Sequence, residues 1–169
     1  MNWQRPTSKY PVGEGLLLGE QFQIAYATND IEQSKKDFAD RFGIRSFSTL
    51  EGATPAGGYI QVALAWVGTT MYELLTASGQ GSELYMSNLS EKDYQVRLHH
   101  LGFILHSDEQ WQRLHHRFEQ ANIPVLYENH TKGFMRSCFI EAPGLGHFFE
   151  YLYPEPAGLD FFMNNVPKH

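Results

Sequence analysis

The strongest constraint in this chain is an internal repeat. Two stretches carry the same succession of elements, β-α-β-β-β, and the ends of both units keep one register. Glu73 lies 50 positions after Gln23, Glu150 lies 50 positions after His100, and the second pair stands 77 residues beyond the first. At that same offset Tyr26 meets Phe103, Tyr72 meets Phe149 and Leu75 meets Leu152. The helices and middle strands need a small insertion or deletion to stay aligned. A duplicated supersecondary unit is read before any single motif, because it governs the whole fold.

The first unit covers residues 21–76. FQIAYAT has the β-branched, aromatic and small residues of a short strand. Asn29 and Glu32 follow as a capping pair, and the helix after them places Ile31, Ser34, Phe38 and Phe42 near one face. Gly43 suits the left-handed position that ends such a helix. IRSFSTLE, GGYIQVALAWV and TTMYELLT then read as three strands, separated by glycines and Pro55 and by a turn at Gly68. A polar linker, residues 77–97, includes SEKDYQVR as a short-helix candidate. The second unit, 98–153, repeats the order. LHHLGFIL is its strand, Ser107 and Gln110 cap a helix running to about Ala121, and Trp111, Leu114 and Phe118 form the inner face. IPVLYEN, GFMRSCFIE and HFFEYLY supply its last strands. Residues 1–20 read as an irregular arm and 154–169 as a tail. The expectation is one α+β domain in a chain of 169 residues.

Composition excludes some functions. A net charge of −6 argues against a nucleic-acid groove, which needs a basic face. Cys138 is the only cysteine, so no intramolecular disulfide is available, and Ser137-Cys138-Phe139-Ile140 reads as a buried hydrophobic run. The opening residues lack a signal-peptide pattern. No apolar stretch approaches the roughly twenty residues of a membrane span. The expected setting is the reducing cytoplasm, with a small molecule as partner rather than a membrane.

Candidate chemistry sits at the ends of the repeats. Glu150, in HFFEYLY, has only aromatic, Leu or His neighbours within three positions, so neither face of its strand is wet. A carboxylate so placed needs a partner or becomes protonated. Glu73 poses the same question at the matched position, while Gln23 and His100 match on the two first strands. If the two units form sheets that face each other, these four converge. Imidazole nitrogen with carboxylate and amide oxygens suits a divalent ion that keeps positions open for water or substrate. The bland alternatives are rim carboxylates in solvent and a satisfied strand histidine.

These features resemble the vicinal oxygen chelate superfamily, which includes glyoxalase I, methylmalonyl-CoA epimerase, extradiol dioxygenases and bleomycin-binding proteins. The resemblance spans roughly residues 20–154 and rests on FQIAYATNDIEQSKKDFADRFGI, TMYELL, HHLGFIL and APGLGHFFEYL. It implies two βαβββ units forming a curled mixed sheet around a metal cavity, with Gln23, Glu73, His100 and Glu150 as ligands. That ligand set is similar to the zinc-using form of glyoxalase I. The epimerase branch usually has His first and Gln second. The implied ion is zinc foremost, with nickel, cobalt, manganese or iron as alternatives.

The implied reaction is that of a lyase, isomerase or epimerase. A proton is abstracted beside a carbonyl while the metal stabilises the enolate or enediolate. By resemblance Glu150 is the principal base and Glu73 stands opposite. An iron extradiol dioxygenase is the alternative enzyme, weakened because Gln23 replaces its first histidine. A non-catalytic binding or resistance protein is the alternative outside enzymes. Tyr59, Trp66, Tyr72, Phe134, Phe148 and Tyr151 either line an apolar pocket or pack as core. His99 and His147 flank the ligand positions as supporting or substitute ligands. Most relatives are dimers, which makes a homodimer the expected assembly.

Overall fold

The computed structural model describes residues 15–54, 56–90 and 92–169. A short 3-10 turn at Gly15–Leu17 leads into β1 (Glu20–Thr28), α1 (Ile31–Phe42), β2 (Ser48–Ala53), β3 (Tyr59–Val67) and β4 (Thr70–Ser78). The linker holds a four-residue helix, α2 (Glu83–Met86). The second unit follows as β5 (Val96–Ile104), α3 (Asp108–Ala121), β6 (Tyr127–Thr131), β7 (Met135–Glu141) and β8 (Phe148–Pro154). The chain closes with α4 (Pro156–Asp160) and a π-helical turn, Phe161–Asn165.

All eight strands form one sheet in the order β2-β3-β4-β1-β5-β8-β7-β6. Within each unit the first and last strands are parallel, and the duplication is visible in their register: Gln23 stands beside Met71, and His100 beside Phe148. The two units meet at a single antiparallel seam, β1 against β5. The mixed, curled half-barrel agrees with the expected α+β architecture.

Strand alternation divides the side chains between two faces. On the outer face α1 covers Ala63, Ala65 and Leu74 with Ile31 and Phe38. Likewise α3 covers Phe103, Cys138, Ile140 and Tyr151 with Trp111, Leu114 and Phe118. Cys138 is therefore core, and burial pushes its thiol far above the usual range. The inner face carries two further clusters. One, around Phe22, Leu64, Met71 and Leu152, is closed by Phe162 and Val166 of the C-terminal segment. The other, around Ala25, Leu75 and Phe139, is closed by Tyr85 of α2.

Several local expectations change. The N-cap of α1 is Asp30, whose carboxylate accepts from the Gln33 amide at 2.9 Å. Asn29 instead anchors the linker: its amide donates to the Ser90 and Asp93 carbonyls, and its oxygen accepts from the Gln95 N–H. Glu32 pairs with Lys35 on the surface. Phe42, at the end of α1, is 64% exposed and meets the edge of Phe38, at 5.0 Å between ring centroids. Residues 92–95 of the SEKDYQVR stretch are not helical. The linker helix forms earlier, where Leu84, Tyr85 and Met86 have apolar surface to cover. The tail is ordered: Trp66 pairs through its backbone with Pro167 and His169, and its indole N–H donates to the Phe162 carbonyl at 2.8 Å. The caps at Gly43 and Ser107 agree with expectation. The first fourteen residues of the arm lie outside the described residues. Among those described, no helix is long and apolar enough to cross a membrane.

The revised cap is testable by urea denaturation. Asp30→Ala should lower the unfolding free energy by about 1 kcal/mol, whereas Glu32→Ala should change it by only a few tenths, as for an exposed pair. A larger loss for Glu32→Ala would restore the original pairing.

Candidate metal centre

Gln23, Glu73, His100 and Glu150 are all buried on the inner face, between 1% and 9% exposed. They arrive from β1, β4, β5 and β8, the four central strands. Ligating atoms of Glu73, His100 and Glu150 lie within 4.8 Å of one another. Donors held at about 2.0–2.2 Å from one ion stand at most about 4.4 Å apart, so this spacing is close to that of a loaded site. The Gln23 amide donates to Glu73 Oε2 at 2.6 Å, and His100 Nε2 is 3.0 Å from Glu150 Oε2. One chain supplies all four groups.

The seam explains how these side chains reach the same space. Across it Gln23 faces Gly102 and Ala25 faces His100, so each long polar side chain lies over a small residue. A Cβ on Gly102 would collide with the Gln23 side chain. Two bulges aim the polar residues inward. Phe22 is the extra residue in the pairing before Gln23, and His99 is the extra residue before His100. The bulges themselves stand at the 77-residue offset. Bulges of this kind commonly re-aim side chains beside sites. Gly102 escaped the sequence reading, although a glycine inside a strand is itself a signal of close approach.

Burial dominates the electrostatics. It raises Glu73 to about 7; His100 and the Gln23 hydrogen bond oppose this and Glu150 adds to it. Glu150 rises to about 8 by burial alone. His100 is lowered to about 4 and His99 to about 3, chiefly by burial. Gln23 Oε1 is buried without a hydrogen-bond partner, and buried His100 Nε2 forms no hydrogen bond although Glu150 Oε2 is 3.0 Å away. An orphaned amide oxygen and an imidazole nitrogen beside two buried carboxylates fit a divalent cation, which would satisfy all of them at once.

Gln23, Glu73 and Glu150 line a cavity of about 410 Å³, with His100 buried beside them. Its walls include Leu50, Ile60, Val62, Tyr127 and Met135, with Tyr85 and Phe162 contributed by the linker and the tail. Of the rings weighed as pocket lining, none lines this cavity. Tyr72 and Tyr151 neighbour the glutamates and so point to the outer face, Tyr59 is exposed, and Phe134 packs on Phe161. Trp66 packs on Phe22, and Phe148 packs on His99. His99 supports His100, their Nδ1 atoms being 2.8 Å apart. His147 does not join the group; its Nδ1 lies 3.2 Å from the Leu145 carbonyl oxygen.

Solved structures with the same architecture include methylmalonyl-CoA epimerase from Mycobacterium tuberculosis. It is 13% identical with a TM-score of 0.58, covering 81% of this chain and 89% of the other. The chain has the glyoxalase/bleomycin resistance fold. A Streptomyces coelicolor methylmalonyl-CoA epimerase variant in complex with 2-nitronate-propionyl-CoA is 14% identical (TM-score 0.57, 83% and 97% covered). A hypothetical protein from Bacillus halodurans is 14% identical (TM-score 0.57, 80% and 94% covered). At such identities the likeness is one of fold. No protein-family model matches the sequence, and no curated protein does.

Two predictions follow from the site's construction. The raised carboxylates stabilise the fold fully below pH 4.5, and this contribution is lost as pH rises through about 7 to 8. The depressed histidines act oppositely, but only below about 6.5. Between pH 6.5 and 8.5 the melting temperature of chelator-treated protein should therefore fall, and added zinc should remove most of that fall. A flat metal-free profile would contradict the burial argument. Separately, Gly102→Ala should weaken zinc binding about tenfold or more in chelator competition by displacing Gln23, with all four polar side chains retained.

Proposed function

We propose that this chain is a metal-dependent lyase, isomerase or epimerase that removes a proton from a carbon beside a carbonyl and returns it. The observation that carries this reading is the pair Glu73 and Glu150, buried together at one cavity with His100 and Gln23, with affinities for protons near neutrality. A general base works best when its pKa lies close to the working pH. Gln23, Glu73, His100 and Glu150 would hold the ion, with zinc foremost and nickel, cobalt, manganese or iron as alternatives. The ion would supply positive charge for substrate oxygens on which negative charge develops.

The protein's own groups then divide the work. Glu150 takes the proton as the C–H bond breaks and its electron pair moves toward the carbonyl oxygen. The Gln23 amide holds Glu73 in place at 2.6 Å as the second carboxylate. Return of the proton to the opposite face of the same carbon gives epimerisation, and return to the neighbouring carbon gives isomerisation. The methylmalonyl-CoA epimerases among the structural neighbours support the former, and the Gln-Glu-His-Glu set supports a glyoxalase-like reaction. Among the described residues the cavity lining contains no lysine or arginine. The walls mix apolar Leu50, Ile60, Val62 and Met135 with polar Glu51, Asn129, Thr131 and Ser137. An iron dioxygenase is disfavoured, since both ring nitrogens of His99 are engaged elsewhere and His147 does not join the Glu73–His100–Glu150 group. We place the protein in the cytoplasm as a homodimer.

Proton exchange gives a direct test. Zinc-loaded protein is incubated in D2O with methylmalonyl-CoA or with the methylglyoxal–glutathione hemithioacetal, and loss of the α-proton is followed by NMR. Glu150→Gln should slow the exchange by roughly 10²–10⁴-fold with a folded circular-dichroism spectrum. Undiminished exchange in that variant would remove Glu150 from the role of base. Tight substrate binding without exchange, independent of metal, would instead favour the binding-protein reading.

A further inference from the structure

His99 is bulged out of the β1–β5 ladder, so that it and its neighbour His100 both turn inward. It is 5% exposed and enclosed by rings: stacked on Tyr85, with Phe148 at 4.9 Å and Phe139 at 6.0 Å between centroids. Its two nitrogens make two contacts. Nε2 lies 3.0 Å from the Leu84 carbonyl oxygen of α2, and Nδ1 lies 2.8 Å from His100 Nδ1.

These contacts determine where the protons sit. A carbonyl oxygen can only accept, so His99 Nε2 must carry a hydrogen. A ring buried among aromatics is neutral, because an unpaired cation there would be costly. His99 Nδ1 is then a bare acceptor, and His100 Nδ1 must donate to it. A neutral His100 with its hydrogen on Nδ1 leaves Nε2 as a lone pair, and Nε2 is the atom beside Glu73 and Glu150.

We propose that His99 is a positioning residue that, anchored by the Leu84 carbonyl, fixes His100 in the tautomer whose Nε2 lone pair faces the metal centre. This rests on the reading of that centre given above. The acceptor behind a metal-bound histidine is commonly a carboxylate or a backbone carbonyl. Here a second histidine takes that place and passes the constraint on to the linker. The linker thus sets the chemistry of a ligand in the second unit through one backbone oxygen, and Tyr85 beside it lines the cavity.

The test is made on the full-length, metal-free protein, with 15N-resolved histidine ring spectra that report the tautomer directly. Wild type should show His100 protonated at Nδ1 and His99 at Nε2. His99→Phe fits the aromatic enclosure but accepts no hydrogen bond. It should move His100 toward the Nε2-protonated form and weaken zinc binding about 10- to 100-fold. His99→Gln, which can both accept from His100 and donate to Leu84, should restore the tautomer and most of the affinity. Wild-type His100 protonated at Nε2 would overturn the proposal, and that measurement needs no variant. So would a His99→Phe protein that keeps the Nδ1 tautomer and binds zinc within twofold of wild type. If the tautomers follow expectation but wild type takes up no divalent ion, the relay stands and the metal reading falls.

Discussion

The candidate metal centre depends on the antiparallel seam between β1 and β5. It is where the two repeats become one sheet. It is also where the space for the polar groups is made: Gly102 lies opposite Gln23 and Ala25 opposite His100. Close packing tolerates little change in volume, so two long side chains can lie across a seam only where their cross-strand partners are small. Bulges at Phe22 and His99 complete the arrangement by turning the next residue inward. Gly102 and Ala25 match at the repeat offset, as do Phe22 and His99. The seam therefore carries an approximate two-fold symmetry down to single positions.

Against that symmetric frame the site is chemically lopsided. One repeat contributes an amide and a carboxylate, the other an imidazole and a carboxylate. Only the second has a polar residue at its bulge, so only His100 is backed by another polar ring. Phe22, the counterpart of His99, packs against Trp66 and Phe162. Two buried carboxylates on the inner face are tolerated because burial favours their neutral form and hydrogen bonds or a cation can satisfy them. The open ends of the half-barrel are narrowed by Tyr85 and Phe162, from the two segments that belong to neither repeat.

Much of this was legible in the chain. The 50- and 77-residue offsets located the four polar positions, because a duplicated fold must place equivalent residues on equivalent strands. Helix faces were read well where the period was sustained, as at Trp111, Leu114 and Phe118. The errors were of neighbouring alternatives. Asn29 and Asp30 are both competent caps, and the choice fell to Asp30 because the Asn29 side chain is taken by the linker. For Tyr72 and Tyr151 the choice between cavity lining and core fell to the core, because alternation along a strand puts the neighbours of Glu73 and Glu150 on the other face.

The sequence by itself determined the repeat, the fold class and the identity of the four polar residues, since periodicity and register are properties of the chain. Tertiary structure decided which small residue faces each long one, that His99 bulges toward His100, and which segments close the cavity. Those outcomes depend on pairings between residues far apart in the chain, and on competition for the same apolar surface. No local pattern carries that information.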